Sequence, residues 1–144
     1  MSRRTSITKA LVAKFNTIDG TAPYQVNLFN NAHAKLEFWD AVNDFPAVYC
    51  TPGSETREYL PSGFTWGYLG VAVKVYCKGE DPQAQLELLL EDLERCIDAN
   101  RVLTYSDSGQ QTTEILIQSI VTDEGLLAPY GVGEINLQVR YALV

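Results

Sequence analysis

An α+β fold is predicted: a single domain in which a mostly antiparallel sheet of roughly four to six strands carries its helices on one face. Three stretches predict it. From Leu69 to Cys77 apolar residues fall at every second position (Leu69, Val71, Val73, Val75, Cys77), the period of a strand with one buried face. Leu86, Leu89, Leu90, Leu93 and Ile97 then recur at the spacing of an amphipathic helix. Near the C-terminus Ile135, Leu137, Val139, Tyr141 and Leu143 alternate with Glu134, Asn136, Gln138, Arg140 and Ala142. The 144 residues suit one domain, 1–144, with a core that needs neither metal nor disulfide.

Taken in order, Ile7, Leu11, Phe15 and Ile18 share one face of a first helix, expected over residues 4–18 and closed by the Asp19-Gly20 turn. Thr21 to Gln25 reads as an exposed connection, and Val26 to Phe29 as a short strand or the approach to a helix. Asn31 to Val42 is weakly helical by the spacing of Ala34, Phe38, Trp39 and Val42, and Phe45-Pro46 must end it. Ala47 to Thr51 has strand character, Pro52-Gly53-Ser54 reads as a turn, and Glu55 to Leu60 as a charged edge strand or projecting hairpin.

After the central strand, Asp81 is a suitable N-cap and Pro82 suits the first helical position. The helix over 82–99 puts Glu87, Glu91, Asp92, Glu94 and Arg95 opposite its apolar stripe. Tyr105 to Gln111 is a polar loop. Glu114 to Thr122 returns to strand, with Ile115, Ile117 and Val121 on one face and Leu116 and Ile120 on the other. Apolar residues on both faces imply an interior strand, or one covered by a partner subunit. Leu126 to Gly133 reads as an extended loop. Burying one Leu of the helical stripe contributes ~1.5–3 kcal/mol, so Leu90→Asp is expected to be ruinous.

Composition narrows the function. A net charge of −7 disfavours a nucleic-acid-binding surface, which needs clustered Lys and Arg. Arg3, Arg4, Lys9 and Lys14 could meet an acidic partner, but a solvated helix face is the plainer reading. Cys50, Cys77 and Cys96 are widely spaced and odd in number, which reads as buried, reduced thiols of a reducing compartment. No apolar run is long enough for a membrane span, and none follows Arg3-Arg4 as a signal peptide would require.

Catalytic patterns are lacking. His33, beside Glu37 at helical spacing, is the one histidine and reads as a packing or surface residue. No ligand set suits zinc, and no Gly-x-Ser-x-Gly elbow or phosphate-binding glycine loop occurs. Gly131-Val132-Gly133 is half of a dinucleotide fingerprint, but Asn136 stands where the third glycine belongs and the segment precedes a strand. The helix carboxylates and Asp123-Glu124 read as a solvated face and a polar turn. No enzyme activity, metal or cofactor is expected.

The chain resembles the tail terminator (tail completion) proteins of long-tailed bacteriophages. An N-terminal amphipathic helix is followed by Phe45-Pro46-Ala47-Val48-Tyr49 and the acidic segment Glu55 to Tyr59. The strand Gly70 to Tyr76 then leads into the helix that begins Asp81-Pro82-Gln83-Ala84-Gln85-Leu86, and a late alternating strand closes the chain. The resemblance covers most of the chain in order and texture, without a catalytic motif. It implies a virion protein, made in the host bacterial cytoplasm, whose subunits form a hexameric ring. The ring caps the tail tube, stops its polymerisation and joins the tail to the head connector. It also implies partners in the tail tube protein and the head connector or neck proteins, passage of DNA without specific binding, and no membrane.

On that reading the candidate subunit or tube interface is Glu55, Arg57, Glu58, Tyr59, Trp66 and Tyr130, with Phe64 and Tyr68 nearby; aromatics are enriched at interface cores. The candidate lumen-facing acids are Glu55, Glu58, Asp107 and Glu114. Two other readings compete: another neck or head–tail joining ring protein of a phage or contractile injection system, and a small enzyme or ligand-binding domain with an unrecognised site.

Overall fold

Helix α1 (Arg3–Phe15) opens the fold in a computed structural model that describes residues 2–143. The Ser2 hydroxyl caps it by accepting from the Thr5 amide. The helix stops three residues short of the expected Ile18, but Ile18 still joins Ile7, Leu11 and Phe15 in the core. Strand β1 (Ala32–His33) follows, then a single 3₁₀ turn at Trp39–Ala41, β2 (Ala47–Tyr59), β3 (Thr65–Lys78), α2 (Pro82–Ala99), β4 (Thr112–Thr122) and β5 (Tyr130–Leu143).

The five strands form one sheet in the order β1-β2-β3-β5-β4. Only the two-residue β1 runs parallel to its neighbour; the other pairings are antiparallel. Both helices pack on the same face. There α1 supplies Ile7, Leu11 and Phe15, and α2 supplies Leu86, Leu89, Leu90, Leu93 and Ile97. They meet Val71, Val73 and Val75 of β3 and Ile135, Leu137 and Val139 of β5. This is the predicted α+β architecture, with the predicted α2 face buried. Asp81 caps α2 by accepting from the Ala84 amide. The helix starts close to β5: a Cβ on Gly131 would lie 2.7 Å from the Pro82 carbonyl oxygen, so only glycine fits there.

Several expectations are corrected. Asn31–Val42 is not helical. The Asn16 carboxamide accepts from the Ala32 amide at 2.9 Å, and the Asn31 carboxamide donates to the carbonyls of Asp44 and Pro46. These bonds hold the chain extended, so tertiary contacts override a weak helical pattern. His33 therefore lies on β1, with its ring against Tyr49 and Nε2 2.8 Å from Asn31 Oδ1.

Pro52-Gly53-Ser54 is not a turn. Strand β2 runs through it, and the pairing with β3 shifts register between Pro52 and Glu55. A bulge on a strand edge tolerates the missing proline amide. Of the two readings of β4, the interior one is excluded, because β4 is the sheet's outermost strand. A register shift between Ile117 and Ser119 also inverts its pattern. Ile120 now lies opposite Ile135 on the helix side, and Val121 joins Leu116 on the other face.

The Leu126–Gly133 loop ends early, because β5 begins at Tyr130. Finally, Asp92 does not share the solvated face of α2: its side chain is fully buried.

The second face of the sheet is covered at one end only. Trp39, Val42 and Phe45 pack there on Ala47, Tyr49, Tyr76 and Val132. The rest of that face is open. Cys50, Cys77 and Cys96 are buried free thiols, and burial pushes Cys77 up to about 12. None is poised as a nucleophile.

Candidate functional site

The hairpin of β2 and β3 is closed by a short turn, in which the Leu60 amide donates to the Phe64 carbonyl and the Gly63 amide to the Leu60 carbonyl. Gly63 sits at φ 83°, where a side chain would be strained. The pleat of the strand divides the candidate residues between two faces. Register with β3 places Glu55, Arg57 and Tyr59 opposite Leu69, Gly67 and Thr65 on the helix side. Glu58 lies opposite Trp66 on the open side, where Tyr68 also stands. The expected interface residues of the hairpin are thus neighbours in sequence but not on one surface.

Glu55 is turned inward. Its carboxylate is almost covered, accepts a hydrogen bond from the Tyr141 hydroxyl at 2.6 Å and pairs with Arg57 Nε at 2.5 Å. Burial alone would raise its pKa. The bonds from Tyr141 and Arg57 outweigh that and hold the carboxyl below the usual carboxylate range. The Tyr141 phenol is pushed up to about 12, by burial first and then by the Glu55 carboxylate. It is therefore a neutral donor to an ionised acceptor.

A lowered folded pKa means that this stabilisation is present above the unfolded value and is lost as pH falls through the folded one. Glu55→Gln is expected to cost about 1–2 kcal/mol at neutral pH. It should also flatten the loss of stability below about pH 4.5. Urea titrations at neutral pH and through the acid limb check this; parallel curves for the two proteins would contradict it.

Of the other acids proposed for a lumen, Glu58 is exposed on the open face, where its carboxylate accepts weakly from the Tyr68 hydroxyl at 3.4 Å. Asp107 is exposed in the loop after α2, beside Ser6 and Ala10 of α1. Glu114 is half-buried near the start of β4, 3.9 Å from Arg101. Tyr130 stands at the far end of β5 from the hairpin. It pairs with Lys78, whereas Thr65 pairs with Leu143. Trp39, Phe45 and the Lys78 ammonium surround its ring.

Sequence reasoning missed several surface features. The Arg140 guanidinium lies 4.0 Å over the Trp66 ring, and Phe64 meets that ring edge-on. Arg140 was visible only as a polar member of an alternating strand, and its stack depends on the β3–β5 register. The Arg4 guanidinium donates to the Gly53 carbonyl and so ties α1 to the β2 bulge. Phe29 is 72% exposed at φ 53°, an uncommon conformation for a bulky residue. It borders a hollow of about 460 Å³ lined by Val26, Phe45, Pro46, Lys78 and Leu88 among others. That hollow holds no acid–base pair. Among the described residues no cluster of His, Cys, Asp and Glu suits a metal ion, and no helix is long and apolar enough to cross a membrane.

The arrangement offers surfaces rather than reacting groups: an open sheet face with an aromatic–guanidinium stack, a projecting hairpin, and two helices of opposite charge. Comparisons with known proteins agree in direction. Residues 1–143 match the family described as Bacteriophage Tail Tube Terminator Protein. Tail tube terminator protein p142 of Escherichia phage T5 is 40% identical over 152 aligned positions, covering 98% of this chain and 94% of that protein. A chain from the virion of a native gene transfer agent (GTA) particle shares the fold, with a TM-score of 0.63 over 99% of this chain and 100% of that one, at 9% identity.

Proposed function

Since this chain belongs to the bacteriophage tail tube terminator proteins, structural components of the virion tail, we propose that it caps the tail tube as a homo-oligomeric ring, stops tube growth, and presents a surface to the head connector. Six copies form the ring in the arrangement that the family resemblance implies. The observation that carries this reading is the match over essentially the whole chain. The family is one of structural tail proteins, so we read the protein as a non-catalytic subunit without a cofactor. Its net charge of −7 suits a ring through which DNA slides without adhering. Exposed Glu58 and Asp107 are the acids best placed to contribute.

Gold-labelled antibody against this chain, applied to purified tails, tests the location. Label at one end of the tube, the end that meets the head, is expected. Label along the tube, or only on heads freed of their tails, would overturn the reading.

A further inference from the structure

We propose that the outer strand β4 of one subunit pairs antiparallel with the β2 hairpin of the next, so that the sheet continues from copy to copy. The proposal rests on the homo-oligomeric reading above and names the contact that makes it. Four observations carry it.

First, β4 is a long strand that among the described residues is paired on one side only. Its sequence, TTEILIQSIVT, holds one charge and neither Pro nor Gly, and Leu116, Ile120 and Val121 are 41, 42 and 55% exposed. Strand edges that stay in water are blunted by charge, proline, bulges or cover; beyond Glu114 this one carries only the bulge between Ile117 and Ser119, with no charge or proline.

Second, the opposite margin of the same sheet has a matching vacancy. Strand β1 covers β2 only at Val48 and Tyr49, and Arg4 takes the Gly53 carbonyl. The edge from Ser54 to Tyr59 has no strand partner among the described residues, and Tyr59 is 75% exposed.

Third, strand direction fits. From β2 through β3 and β5 to β4 the directions alternate. A copy placed beside β4 in the same orientation therefore brings its β2 up antiparallel. That contact is head-to-tail, the kind that closes rings.

Fourth, the helices flanking the two edges are complementary. Over the β2 side lies α1, whose charged residues are Arg3, Arg4, Lys9 and Lys14, with no acid. Towards β4 lies α2, with exposed Glu87 and Glu91 and half-buried Glu94 beside Ile120. Pairing β4 with the neighbour's β2 sets the acidic helix beside the neighbour's basic one, along with the neighbour's half-exposed Arg57.

The test uses particles in which this chain carries Thr56→Cys and Leu116→Cys together, or either alone. Both positions are exposed on the open face, and the native thiols are buried. Purified tails are treated with a short bismaleimide, which tolerates the spacing of diagonal cross-strand pairs, and run on a denaturing gel. The double variant is expected to give a ladder of covalent multimers, and each single variant only monomer. Dimers from Leu116→Cys alone would mean that β4 meets β4 and would overturn the proposal. An amine-reactive crosslinker on the same tails separates the two levels. Multimers with that reagent but no ladder from the double-cysteine chain would leave the ring standing and remove this contact. No multimers with either reagent would remove the homo-oligomeric reading itself.

Discussion

Leu90→Asp is expected to abolish folding. Leu90 is 3% exposed in the middle of α2 and belongs to the core formed with the sheet. Its replacement loses ~1.5–3 kcal/mol of apolar burial and adds a carboxylate with no counter-charge in an apolar setting. Glu87, Glu91 and Glu94 sit beside it and repel the new charge further. The sum exceeds about 5 kcal/mol, a large part of the total stability of a typical domain. Leu88, on the same helix, is 41% exposed. Leu88→Asp should lower the unfolding free energy by less than about 1 kcal/mol. Soluble yield and urea unfolding of the pair check this contrast. A soluble Leu90→Asp protein with a normal unfolding transition would show that α2 buries a different face.

Asp92→Ala is expected to cost about 3–5 kcal/mol, for the opposite reason: here the charge is native and satisfied. Its carboxylate accepts from the Gln25 amide at 2.9 Å and the Val26 amide at 2.7 Å, and lies 3.1 Å from Arg95 Nη1. These bonds fasten the 21–29 connection to α2. Truncation leaves two amides without an acceptor, at about 1–3 kcal/mol each. Arg95 loses little, because it is partly exposed and keeps Glu91 at 2.7 Å. Asp92→Asn retains the shape and one accepting oxygen, so a smaller loss of about 1–3 kcal/mol follows. Urea unfolding gives the magnitudes, and hydrogen exchange at Gln25 and Val26 gives the location. An Asp92→Ala protein with unchanged stability and unchanged protection at those amides would contradict the assignment.

The two residues show what the sequence carries. Leu90 was legible because burial on a regular helix repeats with the helical period. So were the central and final strands, the Asp81 cap and the Pro82 start. Asp92 was not, since its partners are backbone amides more than sixty residues away, and no local pattern marks which carboxylate of an acidic helix meets a loop. The same cause hid the Asn16 and Asn31 side-chain bonds that keep 31–42 out of a helix. Bulges account for the other errors. One residue added to an edge strand inverts the face of all that follow, as between Ile117 and Ser119, and lets Pro52 stand inside a strand. At the surfaces, the sequence marked the hairpin but not its division: Glu55 is spent on Tyr141, whereas Glu58 and Trp66 face outward.

The role proposed for this chain is to end tube growth. The direct measurement is the length distribution of tail tubes, by electron microscopy, in particles assembled with and without it. Without the chain, tubes of uncontrolled and variable length are predicted, with the native length restored when the chain is supplied in trans. Detached tails of uniform native length in its absence would contradict that role and assign the protein to the head–tail joint instead.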